Sequence, residues 1–271
     1  MERSKKRVFL TGAASGLGLE LGLILASQGW SLGITDIRQD VLAEAARKFE
    51  SAGAANVMTY SFDVSDRPAY EEAAVAFLEW AGGIDLLINN AGVGDGGDFS
   101  DYKLDDWEWL MQVNFLGVVY GCKLFIDTFQ KQKSGLIINI SSAAAFANGP
   151  GMSAYNASKA AVRSLSETLS YELLPYNIGV CVVMPTFFKT DVMQYARGPA
   201  AAQHFAKKMI DRSELEASTV AKEILEKALA GKAEIILPTS ARKLYRIKRY
   251  FPALFRRKAK EAVWKNFQKR S

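Results

Sequence analysis

The chain has 271 residues, 49% of them hydrophobic and 23% charged, which fits a globular protein with a sizeable core and excludes a disordered chain. Two cysteines, Cys122 and Cys181, give no disulfide framework and point to a reducing, cytoplasmic setting; the single histidine, His204, leaves no metal-ligand spacing, so no metal site is expected. The net charge of +5 is unevenly divided: of 34 basic and 29 acidic residues, 12 basic and one acidic (Glu261) lie in residues 239–271, which leaves the body of the chain mildly acidic.

The N-terminus, MERSKKRVFL, is basic and runs directly into a core strand, with no apolar signal-peptide region. RVFLTG is a short apolar run closed by a glycine turn, and GLGLELGLILASQG then shows helical recurrence of Leu and Ile. WSLGITD reads as a second strand and QDVLAEAARKFESAG as a second helix. The alternation continues with NVMTYSFDV, a helix from about Asp66 to Ala81, DLLINNAG, and helices through about Phe129. GLIINISS, a helix from about Ser153 to Leu174, IGVCVVMPT, a helix near 217–230 and AEIILP complete it. Residues 134–158 lack any Asp, Glu, Lys or Arg, but their Ser, Asn, Gly and Pro would go unpaired in hydrocarbon, so they do not form a membrane span. Strands that are continuous apolar runs are covered on both faces. The pattern predicts an α/β fold: a single-domain Rossmann-type doubly wound parallel sheet over residues 1–238, with helices on both faces and a basic amphipathic extension at 239–271.

TGAASGLG, Thr11 to Gly18, lies between the first strand and first helix. Gly12, Gly16 and Gly18 permit a tight turn and close backbone approach, and the helix start behind them offers N–H groups to a pyrophosphate. Asp36 ends the second strand, placed to accept hydrogen bonds from a ribose 2′-hydroxyl and to repel a 2′-phosphate. Tyr155 and Lys159, in AYNASKAA, are four apart and share one helix face.

TGAASGLG, NNAG at 89–92, Ser142 and YNASK at 155–159, in this order, resemble the short-chain dehydrogenase/reductases, over about residues 7–238 and in the short single-domain branch of that superfamily. The resemblance implies an NAD cofactor held by Gly12, Ser15, Gly16, Leu17, Gly18 and Asp36, with Asp63 at the adenine and Val64 beside it. It further implies Asn90, Ala91 and Gly92 along the adenosine ribose, and Pro185 and Thr190 near the nicotinamide. Thr186 stands where the family usually has glycine, which puts the backbone contacts of 186–188 in question.

The resemblance assigns Asn114, Ser142, Tyr155 and Lys159 to catalysis. Tyr155 exchanges a proton with an alcohol or ketone, an adjacent Lys159 ammonium lowers its pKa, and Lys159 also binds the nicotinamide ribose. Ser142 polarises the substrate oxygen and Asn114 holds a water against the lysine. Phe146, Phe187, Phe188, Met193 and Tyr195 are candidates for an apolar substrate pocket, with DVMQYARGPAAAQHFAKKMID as a lid. The expected activity is interconversion of a lipophilic secondary alcohol and its ketone, NAD(H) preferred. The alternative is a nucleotide-binding regulator or scaffold of the same fold without turnover.

Helix pairing near 105–130 and 153–174 would give a homodimer or homotetramer, again by resemblance. No nucleic-acid module is present, and the acidic body would repel phosphate, so nucleic acid is not an expected partner. In the tail, Leu244, Ile247, Phe251, Leu254 and Phe255 recur near helical spacing among Lys and Arg, with Pro252 dividing two short helices. Two uses fit that pattern: peripheral contact with an anionic membrane, or packing on the body to close the active site.

Overall fold

The computed structural model describes residues 6–189, 196–197, 210–213 and 215–267, with side chains as far as Glu261. Seven parallel strands form one sheet in the order β3-β2-β1-β4-β5-β6-β7. They are β1 (Arg7–Thr11), β2 (Ser31–Asp36), β3 (Asn56–Ser61), β4 (Leu86–Asn89), β5 (Gly135–Ile140), β6 (Ile178–Pro185) and β7 (Glu234–Leu237). All seven coincide with the apolar runs read from the sequence. Strand order reverses between β1 and β4, and in such sheets the crevice at the carboxyl ends of the strands at that point receives ligands.

The helices between them are α1 (Gly16–Ser27), α2 (Gln39–Ala52), α3 (Arg67–Ala81), α4 (Leu104–Met111), α5 (Gly117–Gln132), α6 (Ala144–Ala147), α7 (Ser153–Glu172) and α8 (Ala217–Leu229). One face of the sheet packs through Leu21, Leu25, Leu42, Phe49, Ile224 and Leu225 against α1, α2 and α8. The other packs against α3, α5 and α7 through Tyr70, Phe77, Phe125, Phe129, Val162 and Leu169. In that second layer Phe9 of β1 meets Phe77 edge-on at 5.2 Å and Phe125 at 5.0 Å, and truncating such a buried ring to alanine costs about 3–5 kcal/mol.

Arg7 ties β1 beside β4: its Nε and Nη2 donate to the two Asp85 carboxylate oxygens at 2.8 and 2.9 Å. The fork geometry fixes two strands on either side of the switch point. Helix α3 starts at Asp66, whose carboxylate accepts the Ala69 N–H at 3.2 Å, and stops at Gly82, which adopts φ 68°.

Residues Leu104–Gln132 form one continuous helical rod, long and apolar enough to cross a bilayer by length and composition. Val118, Cys122, Phe125 and Phe129 are buried in the second core layer, which accounts for that composition. Its middle, Gln112–Leu116, widens into a π turn. The tail forms α9 (Thr239–Tyr250) and α10 (Pro252–Phe267), and Pro252 opens the second helix as its spacing predicts.

Candidate active site

The loop from β1 to α1 is shaped for close approach. Gly12 and Gly16 take φ 65° and 52°, left-handed conformations that side chains disfavour. A Cβ on Gly18 would stand 2.0 Å from the Gly12 carbonyl oxygen. Thr11 Oγ1 accepts the N–H groups of Asn90 and Ala91, each at 3.0 Å, while Asn90 Nδ2 donates to the carbonyls of Thr11 and Gly12, also at 3.0 Å. Asn90 therefore bolts this loop to the end of β4. Ser15 begins α1 without a side-chain cap, and the first turn has no acidic residue. The N–H groups and positive end of that helix are thus available to an anion, and Gly12, Ser15, Gly16 and Leu17 line a cavity of about 820 Å³. Gly18 supports the turn from behind.

Asp36, at the end of β2, lines the same cavity and is nearly buried. It accepts the Ala14 N–H at 3.3 Å and the Arg38 N–H at 3.1 Å. Arg38 folds back over it, donating from Nε at 2.9 Å and from Nη2 at 3.2 Å, and reaches Ser15 Oγ at 2.9 Å. Asp63 also lines the cavity; its Oδ1 accepts the Ser65 N–H and hydroxyl at 2.9 and 2.7 Å, which fixes the loop after β3. Val64 packs against Gly117, where an added Cβ would lie 3.0 Å from its methyl carbon. Asn90, Ala91 and Gly92 follow along the cavity wall. A glycine cradle at an uncapped helix start, an acid at the end of β2 and this wall fit a nicotinamide dinucleotide.

Tyr155 and Lys159 stand on α7. That helix is pinned to the sheet: Ser141 Oγ donates to the Lys159 carbonyl at 2.7 Å and Asn139 Nδ2 donates to Ser166 Oγ at 3.0 Å. Tyr155 and Lys159 accordingly face the cavity together, the ammonium 5.8 Å from the phenol ring centroid. Lys159 Nζ donates to the Ile140 carbonyl at 3.1 Å, and burial pulls its pKa down to about 8. Burial pushes the Tyr155 phenol above its ordinary value, opposed by a hydrogen bond with Ser142. The expected lowering of Tyr155 by Lys159 is thus not met: the lysine is held on a strand carbonyl, and desolvation outweighs the serine. Ser142 Oγ also accepts the Ala144 N–H at 3.1 Å and lies 3.5 Å from the Pro185 carbonyl oxygen.

Asn114 sits fully buried in the π turn. Its Oδ1 accepts the Val93 N–H and its Nδ2 donates to the Val93 carbonyl, both at 2.8 Å, with Ser158 Oγ at 3.5 Å. A Cβ on Gly92 would meet Asn114 Oδ1 at 3.0 Å and Lys159 Nζ at 3.3 Å, so the amide and the ammonium crowd the same point. The π turn carries this amide to the lysine, and such turns concentrate at functional positions. Thr186, the departure from the family pattern, continues the β6 backbone, its N–H donating to the Leu237 carbonyl at 2.8 Å, and is not among the positive-φ residues. A side chain is therefore accommodated there without strain.

Beyond Tyr155 the cavity is apolar, with Met152, Trp109, Phe187, Phe188, Ile210 and Leu244 in its wall. Phe187 and Phe188 stand as expected. Phe146 does not: it is buried under Tyr245, ring centroids 5.0 Å apart, in a separate cluster. Sequence reasoning missed Trp109 and Met152 as wall residues, whereas Arg197 and Ile210 fall in the segment read as a lid. Arg197 stacks on Trp109, its guanidinium carbon 4.0 Å from the ring centroid. Thr190, Met193, Tyr195 and His204 lie outside the described residues.

Residues 6–201 match the sequence profile of the short chain dehydrogenases. A putative oxidoreductase SadH of Mycobacterium tuberculosis is 32% identical over 270 residues, covering 97% of this chain and 96% of that protein. A CLA biosynthesis dehydrogenase/reductase of Lactiplantibacillus plantarum is 35% identical over 190 residues, 69% of this chain and 66% of that protein, so this chain spans just under two thirds of that relative. Among solved structures, a short-chain dehydrogenase/reductase of Burkholderia phymatum in complex with NAD superposes with a TM-score of 0.86 at 30% identity, over 94% of this chain and 96% of that one. The fold agrees with these matches, and the chain belongs to the short-chain dehydrogenase/reductase family of NAD(P)-dependent oxidoreductases.

Proposed function

We propose that this protein is an alcohol dehydrogenase or carbonyl reductase, NAD(H)-preferring, that interconverts a lipophilic secondary alcohol and its ketone. The observation that carries the reading is one cavity with two ends. Glycine loop, Asp36 and Asp63 line one, Met152, Phe187, Phe188 and Leu244 the other, and Tyr155 stands with Ser142 between them. Gly12, Ser15, Gly16, Leu17, Asp36, Asp63 and the 90–92 wall would hold the dinucleotide, and Lys159 its nicotinamide ribose, with Pro185 and Thr190 near the carboxamide. When bound, that cofactor supplies the hydride acceptor for alcohol oxidation and the hydride donor for ketone reduction.

Tyr155 and Ser142 handle the substrate oxygen. In oxidation the Tyr155 phenolate takes the hydroxyl proton as the carbon gives up its hydride, and the C–O bond becomes a carbonyl. In reduction the phenol returns that proton to the nascent alkoxide. Ser142 donates a hydrogen bond to this oxygen, whose negative charge is greatest partway through either direction. Lys159 and Asn114 hold the proton path behind the phenol.

Arg197 on Trp109 adds a cation to the otherwise apolar end, which favours a substrate carrying an acidic group remote from the reacting carbon. Assembly as a homodimer or homotetramer is part of the proposal; exposed Leu104 on α4 and Tyr171 on α7 give those helices apolar surface for a neighbour. Light scattering tests it.

The deciding experiment is a panel of steroids, retinoids, long-chain hydroxy acids, long-chain alcohols and sugars, read by NADH formation. Turnover confined to lipophilic secondary alcohols supports the reading. NADH binding with no turnover on any panel member favours the scaffold alternative.

A further inference from the structure

The α9 helix is docked on the enzyme body through a stripe that the apolar recurrence of the tail did not identify. Ala241 is buried, and Tyr245 meets Phe146 edge-on and lies under Arg163, whose Nη2 donates to the Tyr245 hydroxyl at 2.7 Å. Lys248 bonds Asn148 one turn further on. Packing on the body, the plainer of the two uses read from the sequence, thus belongs to the Ala241–Tyr245–Lys248 face.

The neighbouring face is left over. Leu244, Ile247 and Phe251 follow one another at helical spacing, and Leu244 lines the mouth of the cavity. Leu244 is 38% exposed, Phe251 62% and the adjacent Tyr250 67%, an apolar strip running from the cavity mouth to the α9–α10 junction. Exposed Lys243 and Arg246 on α9 and Arg256, Arg257 and Lys258 on α10 accompany it, while Arg249 turns to the docked side and donates from Nη1 to the Tyr245 hydroxyl at 3.1 Å. The tail holds 12 basic residues against one acid, which is Glu261, and Glu261 is already paired with Arg257 at 3.9 Å.

We propose that this strip docks on an anionic lipid bilayer, with Tyr250 and Phe251 entering the headgroup boundary and the cavity mouth turned toward lipid. Aromatic side chains ringed by cations on one face are the makeup of an interfacial anchor, and aromatic rings prefer that depth. Each basic side chain close to an anionic leaflet raises partitioning roughly fivefold, an effect that salt screens. A bilayer supplies both halves of the match, apolar depth for the strip and negative charge for its flanks. The inference concerns binding alone and does not depend on the reaction proposed above.

The test is co-sedimentation of the full chain with phosphatidylcholine vesicles, with or without phosphatidylserine, at low and high salt. The Tyr250→Ser/Phe251→Ser double variant is run beside it, since neither residue lines the cavity. The expected result is pelleting with phosphatidylserine at low salt, reduced about tenfold or more by high salt, by neutral vesicles and by the double variant. Melting temperature, and NADH binding by fluorescence, stay as in the wild type. Protein that remains in the supernatant with phosphatidylserine at low salt overturns the proposal. So does a double variant that pellets like the wild type. If the double variant splits an oligomer while vesicles bind neither form, the strip is an interface between copies and the proposal fails.

Discussion

The Arg38 guanidinium lies across the Asp36 carboxylate, Nε to Oδ1 at 2.9 Å, and its far nitrogen holds Ser15. The residue that would repel a 2′-phosphate is therefore partly neutralised by a neighbour two positions on. Asp36 still dominates, because it is nearly buried and held in place by the Ala14 N–H, whereas Arg38 sits further out. NAD is expected to be preferred over NADP by about tenfold or more in kcat/KM, a difference near 1.4 kcal/mol. Asp36→Ala should narrow or reverse that preference, and Arg38→Ala should widen it by removing the cation. Measuring both cofactors in the three proteins checks this; a wild type that uses NADP as well as NAD, or an Arg38→Ala variant that gains NADP activity, would contradict it.

Tyr155 and Lys159 carry opposite pKa shifts with one cause, burial. Tyr155 is raised from 10, so between pH 6 and 9 the phenol stays protonated and available as an acid. Ketone reduction should stay near its maximum across that range, while alcohol oxidation, which needs the phenolate, should climb with pH throughout. Lys159 loses its proton near pH 8 in the free protein, so NADH affinity should hold below that value and fall as pH rises through it. In Lys159→Ala, affinity should be weaker and flat with pH. Tyr155→Phe should lower turnover in both directions by about 100-fold or more and leave NADH affinity intact. Fluorescence titration and stopped assays across pH read all three, and a Tyr155→Phe variant near the wild-type rate would place the proton elsewhere.

Much of this site was legible because its parts are local in sequence. Most of the strands are continuous apolar runs, which stand out whatever packs on them; β3, half-exposed at the sheet edge, is the exception. The glycine loop and the Tyr155–Lys159 pair are set by spacing along one turn or one helix. Contacts between distant elements leave no such trace. Trp109 reaches the cavity from α4 and Leu244 from α9, and neither position differs in composition from an ordinary helix residue. Phe146 misled for the same reason: an apolar side chain four positions after Ser142 can face the cavity or the core, and Tyr245, 99 residues later in the chain, draws it to the core. The π turn at Asn114 is likewise silent in the sequence, since QVNFL carries no breaker.

Asn114 closes a two-point clasp on Val93, taking its N–H and giving to its carbonyl. Asn114→Ala removes the partner of both half-buried Val93 groups, a loss of about 0.5–1.5 kcal/mol for each, and should lower the melting temperature. Asn114→Asp keeps the acceptor for the Val93 N–H but loses the donor to its carbonyl, and it sets a carboxylate beside Lys159. That variant should hold the lysine charged to higher pH, so its NADH affinity should persist above pH 8 where the wild type declines. A melting temperature unchanged in Asn114→Ala, or an unmoved pH profile in Asn114→Asp, would separate Asn114 from both roles.

Arg197 rests on the Trp109 ring, and no described residue forms an ion pair with it. A guanidinium stacked on an aromatic face keeps its edge free, and that edge carries the N–H groups that bind a carboxylate in a fork. Set against the apolar wall of Met152, Phe187 and Phe188, it can hold the acidic end of a long substrate while the carbinol carbon lies at Tyr155. Arg197→Ala should raise KM for a long-chain hydroxy acid by about tenfold, with kcat nearly unchanged, because the lost contact is the same in the ground and transition states. For the methyl ester of the same acid, KM should change by less than about twofold. Trp109→Ala should reproduce part of the effect, since it removes the surface that orients the guanidinium. The comparison is internal to each variant, acid against ester, so a general loss of folding would move both substrates together. Equal KM changes for acid and ester would remove Arg197 from substrate selection.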